Sequence, residues 1–406
     1  MPGTMTRLNR VRTSAGSLRL VSRSGSSVGP LNSRYVALVG ADVSPHITGF
    51  GGFTSSLHGL LVEHVGQVSR PLQASPSGAA AGTSTGTSAG APAGTPDLVV
   101  AVLPGPGAAG AAAELADQHD VPLLVIVQGE TSPLSEDAAT GGARLAAKLE
   151  SRALKRADRW AVTGESARRR LLGLGVQQDR IDALPFWAEA VRSGPQVESE
   201  RAAVRRSLGW PAGFLVVCPV GADTSGLVAV VAAAHQLAAR GSDVQVVLVG
   251  RGPRLRALSA SAAEGPNVMV AEVPDEGYAK ALFAADLLVL TETADRPDGA
   301  TAGRLAAAMA AGRPTIAALA DGDQLAAELA RAEGAVVTVA ADRPEQLADA
   351  MDVLRSEPQA LAVMASAARH YTRANLSPVM AAATLEQIAV RTLSRQAGSP
   401  WWGWNR

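Results

Sequence analysis

VQVVLVGRGPRLRALSASAAEGPNVMVAEVPDEGYAKALFAADLLVLTETADRPDGATAGRLAAAMAAGRPTIAAL, residues 244–319, is the stretch whose reading decides the fold. Short apolar runs at 244–249, 268–270 and 287–290 alternate with Ala- and Leu-rich helical patterns, and a further run at 315–318 follows Ala-Ala-Gly-Arg-Pro. Continuous apolar runs of this length, bounded by Gly and Pro, read as strands covered on both faces. Their alternation with helical periodicity reads as βαβ units on a parallel sheet. Ligands of such sheets bind beyond the carboxyl ends of the strands. The turn Gly250-Arg251-Gly252-Pro253-Arg254 therefore marks one wall of a site. Glycines there let a ligand approach the backbone, the next helix N-terminus favours an anion, and Arg251 and Arg254 suit phosphate. A tight turn with solvated arginines is the plain alternative.

A second wall is expected from Pro297 to Leu305. Thr301 reads as the N-cap of a helix over 302–311, whose free amides would meet a diphosphate together with Gly299, Gly303 and Leu305. Arg304 falls in the first helical turn, where a cation opposes the helix dipole unless an anion is bound, so it is the leading ligand contact. Gly51-Gly52-Phe53, in the first half, can offer backbone amides to the same ligand from the other side. Glu130 and Glu292 each follow an apolar strand, where acid–base or ribose-binding carboxylates belong. Gly105-Pro106-Gly107-Ala108-Ala109-Gly110 formally matches a dinucleotide fingerprint, with Glu130 twenty residues beyond Gly110. Pro106 removes a donor at the pyrophosphate turn, however, and the run sits on an internal strand. An NAD(P)-dependent oxidoreductase is kept as a lesser alternative.

The wider chain sets limits. Its 406 residues suffice for two domains, 47% are hydrophobic, and 37 basic residues balance 37 acidic ones, so bulk charge points to neither nucleic acid nor an acidic surface. A single cysteine, Cys218 in FLVVC, excludes an intrachain disulfide and reads as a buried thiol. The six histidines show no metal-binding spacing, and no nucleophile elbow, Walker loop or zinc signature occurs, so no metal or cofactor is expected. No apolar stretch reaches spanning length, which leads us to expect a cytoplasmic protein.

The expected organisation is a disordered leader over 1–33, a first α/β domain over 34–190 with a Gly/Ser/Thr-rich flexible insertion at 74–96, and a second α/β domain over 200–368. A helix over 369–395 should pack back, ahead of a Trp-rich tail at 396–406 that could dock on a protein or at the inner membrane. Within the first domain, helices are expected over 53–65, 108–118, 143–156 and 165–172. The polar segment 188–200 reads as an interdomain linker.

At these residues a family resemblance becomes specific. The order strand, Gly-x-Gly-Pro, helix, VPDE, Tyr278, ALFAADLLVL and AAGRP is similar to the donor-binding domain of glycosyltransferase family 4 over residues 214–393. PLLVIVQ, RADRWAVTGESARRRLLGLGV and ALPFW extend it through the later half of the first domain. DGATAGRLAAAMAAGRP resembles the corresponding stretch of colanic-acid and capsule-type members, with Arg304 in the place of a lysine and Gly303 in that of a serine. The resemblance implies two doubly wound Rossmann-like domains facing a cleft (the GT-B arrangement), an acceptor-side domain over 34–190 and a nucleotide-sugar-binding domain over 200–368, and a retaining, metal-independent transferase. Its co-substrate would be a UDP- or GDP-sugar. Its acceptor would be a saccharide, lipid or other glycoconjugate of bacterial polysaccharide synthesis. The chain departs from the pattern where many members carry two glutamates, here Gly299 and Ala307, and where they carry Lys-Gly, here Ser225-Gly226. Those departures motivate the other alternative, a GT-B-fold partner or regulatory subunit.

Overall fold

The computed structural model describes residues 31, 33–40, 53–65, 67–68, 94–103, 108–128, 155–185, 187, 198–220, 226–251, 255, 265–274, 277–292, 301–320, 329 and 331–396. Two parallel six-stranded sheets organise them. The first uses β1 (Tyr35–Val39), β2 (Gln67–Val68), β3 (Leu98–Leu103), β4 (Leu123–Val127), β5 (Arg159–Val162) and β6 (Ile181–Ala183), with α1 (Phe53–His64), α2 (Ala108–His119) and α3 (Glu165–Gly173) between them. Its strand order is β2-β1-β3-β4-β5-β6.

The second sheet is preceded by α4 (Glu198–Leu208) and contains β7 (Leu215–Pro219), β8 (Gln245–Gly250), β9 (Val268–Glu272), β10 (Leu287–Glu292), β11 (Thr315–Leu319) and β12 (Val336–Ala340). Helices α5 (Leu227–Ala239), α6 (Tyr278–Ala284), α7 (Thr301–Ala310) and α8 (Pro344–Ser356) connect or follow its strands. Its order, β12-β11-β10-β7-β8-β9, is the doubly wound dinucleotide-fold order. Two helices close the chain, α9 (Pro358–Asn375) and α10 (Pro378–Gln396). Pro344 and Pro358 open α8 and α9 at positions where a missing N–H costs nothing.

Alternation along each strand explains why both faces need helices. Leu215, Val217, Val247, Val249, Leu288 and Leu290 form one core with residues of α6, α7 and α9. Their neighbours Val216, Cys218, Val246, Leu248, Leu287 and Val289 form another with α5 and α8. A strand with apolar side chains on both faces is stable only between two helical layers. The first sheet repeats the pattern, with α2 and α3 on one face and α1 and α10 on the other.

The α/β class and the run-by-run strand assignments agree with the sequence expectation, and two details differ. The last residues of the polar segment 188–200 are helical, because α4 opens at Glu198. Arg205 of that helix is buried and donates to Ala284 O at 2.8 Å and to Gly213 O at 3.1 Å, which fixes α4 to the second sheet. The helical backbone of α7 begins at Thr301 itself, one residue earlier than expected. Of the expected helix over 143–156 only its end lies in the described residues. Of the expected leader over 1–33 only residues 31 and 33 are described, and Leu31 is buried in the first core, so the expected leader reaches too far. Of the insertion at 74–96 only 94–96 are described, and of the tail at 396–406 only Gln396, which ends α10.

Candidate functional site

In the second sheet the chain changes direction between β7 and β10, which lie side by side but belong to opposite wings. At such a switch point the two strand ends leave a crevice. There β7 ends at Pro219 and β10 at Glu292, and α5 and α7 begin at Leu227 and Thr301. Both helix N-termini thus open where a ligand would sit. The start of α5 lies close against β10, because a Cβ on Gly226 would lie 2.7 Å from Thr291 Cβ, so only glycine fits. Gly226 is the second residue of the Ser225-Gly226 pair; Ser225 lies outside the described residues.

Arg304 lies in the first turn of α7 and is only 3% exposed. Burying a guanidinium beside the positive end of a helix is unfavourable twice over, through desolvation and through the dipole. Its charge reaches the end of β7. Burial pushes the Cys218 thiol up to about 12, while the Arg304 charge acts in the opposite sense. Arg304 thus lies at the carboxyl end of the sheet, close enough to β7 for its charge to be felt at Cys218.

Of the residues that sequence reasoning placed near a donor, several converge on this edge. Gly250 ends β8 beside β7, and a Cβ there would lie 3.0 Å from Val220 Cβ. Arg251 follows it and is exposed. Glu292 is the last residue of β10, in register with Leu319. Thr301 is the first residue of α7, and Gly303 is buried in its first turn. Leu305 is 1% exposed and belongs to the apolar core, so its side chain is unavailable and only its backbone could face a ligand. Ala307, where the resemblance puts a glutamate, is 3% exposed in the same core. Gly252, Arg254, Gly299, Gly51, Gly52 and Glu130 lie outside the described residues, as do Gly105, Pro106 and Gly107. Phe53 opens α1.

The first sheet has its own switch point, between β1 and β3. One group near it escaped sequence reasoning, which treated Gln128 as the end of the run PLLVIVQ. Gln128 follows β4, and its backbone N donates to Leu103 O at 2.9 Å. Its side chain is 3% exposed, and its Nε2 has no hydrogen-bond partner among the described residues. A buried amide donor left unmet costs about 1–3 kcal/mol, so its position at a carboxyl strand end marks it as a group awaiting an acceptor. The available signal was a polar residue ending a strand that is otherwise apolar on both faces. Among the described residues no group of His, Cys, Asp and Glu could hold a metal ion, and no helix is long and apolar enough to cross a membrane.

Comparison with known proteins follows this division. Residues 32–187 match the family model "Glycosyl transferase 4-like domain", and residues 214–357 match "Glycosyl transferases group 1". No curated protein matches the chain in sequence. Among solved structures, a sucrose-phosphate synthase from Thermosynechococcus elongatus superposes with a TM-score of 0.61 at 18% identity, over 89% of this chain and 100% of that one. HepE of Anabaena in complex with UDP gives 0.56 at 18% identity over the same shares, 89% and 100%. A glycosyltransferase from Rickettsia africae gives 0.53 at 14% identity, over 73% and 77%. At such identities the likeness is one of fold. The two family matches together span both sheets in order, and the chain belongs to the GT-B glycosyltransferases that join a family-4-like first domain to a group 1 second domain.

Proposed function

We propose that this glycosyltransferase takes its sugar from a nucleotide diphosphate bound at the β7/β10 switch point and transfers it with retention and without a metal. The observation that carries the reading is Arg304, a buried cation in the first turn of α7 at that switch point. As the bond from the sugar to the diphosphate breaks, negative charge grows on the departing phosphate oxygen. The first amides of α7, with Arg304 and Arg251, are preorganised for that charge and stabilise it more in the transition state than in the ground state. In this reading the acceptor hydroxyl attacks from the leaving-group face and its proton passes to the departing phosphate. No protein nucleophile is then needed.

Gly51 and Gly52 would approach the diphosphate from the first domain, where Gln128 Nε2 would donate to a hydroxyl of the sugar or the acceptor. Glu130 and Glu292 are the carboxylates at strand ends suited to acid–base or ribose contacts. Structures of HepE with UDP and with UDP-glucose support a UDP-sugar as the donor to try first, ahead of a GDP-sugar. The acceptor we infer is a saccharide or lipid-linked glycan. No cofactor beyond the co-substrate enters the mechanism.

Thermal unfolding of the purified chain with UDP-, GDP- and ADP-sugars tests this. A donor held at about a hundred times its dissociation constant adds about 2.7 kcal/mol, a readily measured rise in Tm. Arg304→Ala should abolish that rise and lower kcat/KM by about 10²–10³-fold, with Arg304→Lys retaining part of both. No rise with any nucleotide sugar would sink the proposal and favour a partner or regulatory subunit.

A further inference from the structure

At the opposite, amino-terminal end of the second sheet lies a cluster of charge that the transfer reaction does not use. Asp286, immediately before β10, accepts from Leu215 N at 2.7 Å, and pairs with Arg205 Nη2 at 2.7 Å and Arg201 Nη2 at 3.2 Å. Arg313, just before β11, joins this group. Its Nη1 donates to Ala285 O at 3.3 Å and its guanidinium lies 5.2 Å from the Phe283 ring centre. Its Nε is buried with no hydrogen-bond partner among the described residues. Arg369 of α9 lies over Gly312, with its Cγ 3.1 Å from where a Cβ would be. One turn further along, α9 carries Arg373, and the whole of α9 contains no acidic residue.

Arg201, Arg205 and Arg313 therefore gather around one carboxylate, with Arg369 close enough to Arg313 for its charge to be felt there. The consequence appears at Arg313, whose pKa falls to about 10 because of burial and then the charge of Arg201, with Arg369 and Arg205 adding to the effect and Asp286 opposing it. Such mutual repulsion is relieved by an anion that takes several donors at once, and a guanidinium fork matches the oxygens of a phosphate. The cluster is reachable from solvent, because Arg369 is exposed and Arg201 and Arg313 are partly so.

We propose that Arg201, Arg313 and Arg369 form a second anion site, specific for a phosphate group and separate from the donor site, with Asp286 and Arg205 as its fixed floor. The phosphate can be free or can belong to a lipid headgroup, and each arm of the experiment reads one source. In the first, titration of the full-length chain with inorganic phosphate at constant ionic strength is followed by calorimetry for wild type, Arg369→Gln and Arg304→Ala. Arg369 is exposed and outside the donor site, so its replacement leaves folding intact. Binding at least about tenfold weaker in Arg369→Gln and unchanged in Arg304→Ala is the expected result. Loss in Arg304→Ala with Arg369→Gln unaffected would assign the phosphate to the donor site and overturn the proposal. In the second arm, co-sedimentation with vesicles of phosphatidic acid in phosphatidylcholine is compared with phosphatidylcholine alone. Retention that requires the acidic lipid and Arg369 identifies a headgroup as the source, whereas phosphate binding without retention identifies a free ligand. Absence of both phosphate binding and Arg369-dependent retention would refute the site.

Discussion

Cys218 and Arg304 show how one charge and one thiol share the end of β7. The thiol is fully buried in the core under α5 and is the chain's only one. Its pKa is raised from 9.0 to about 12, first by burial. Iodoacetamide at pH 8 should therefore leave the native chain unmodified and alkylate it once in denaturant, as intact mass will read. The same shift carries a pH dependence. Above pH 9 the unfolded thiol loses its proton while the folded thiol keeps it, so the native state binds more protons and stability falls as pH rises. The slope is about 1.4 kcal/mol per pH unit. Arg313, lowered to about 10, releases its own proton in the folded state within the same range and acts in the opposite sense. Wild type and Cys218→Ala both carry that arginine, so the difference in their unfolding free energies across the window pH 9–10 isolates the thiol. A difference that stays flat across that window would show that the thiol already ionises in the folded chain.

Among the elements, those with apolar residues on both faces were readable from sequence, and those held by polar contacts were not. Residues 245–250 and 287–292 declare themselves as strands because each side chain in turn meets a helical layer. β12 does not, since Val337 and Thr338 are exposed on an edge strand, and the sequence reading assigned nothing there. Of α4, residues 198–200 read as linker and the rest carry no assignment from sequence, because its fixing groups are arginines. Arg201 and Arg205 stand one turn apart and converge on Asp286, a partner about eighty residues away that no local pattern reveals. Arg304 was readable at the site because a cation in a first helical turn breaks a local rule. Gln128 was missed because its interest lies in a hydrogen bond that is not made among the described residues. The α4 attachment makes a direct prediction. Asp286→Ala would leave two largely buried guanidiniums facing each other and should cost about 3–5 kcal/mol, read as a lower urea midpoint. Adding Arg201→Met should recover part of that loss. A change within about 0.5 kcal/mol would show that hydrogen bonds to Ala284 and Gly213 alone hold the helix.

At the scale of the whole molecule, the last described helix returns to the first sheet. α9 packs on the second sheet through Ala368 and Tyr371, yet α10 crosses to the first, where Ala381, Ala382, Leu385, Ile388 and Ala389 share a core with Leu38, Leu57 and Val100. Arg391 adds an ion pair with Asp182 at 2.9 Å, next to the buried pair of Asp182 with Arg159 at 2.6 Å. The first domain's core is thus completed by residues that follow the second domain in sequence, so the chain runs from the first domain through the second and back. Ile388 is fully buried in that core. Ile388→Ala should cost about 2–5 kcal/mol, and the loss should fall on the first domain although the residue lies far from it in sequence. Amide hydrogen exchange reads this directly. Amides of β3 and β4 should exchange faster in the variant while those of β8 keep their wild-type rates. Equal acceleration in both sheets would mean that the two domains unfold as one unit. Unchanged rates in the first sheet would mean that α10 lies on that core without supporting it.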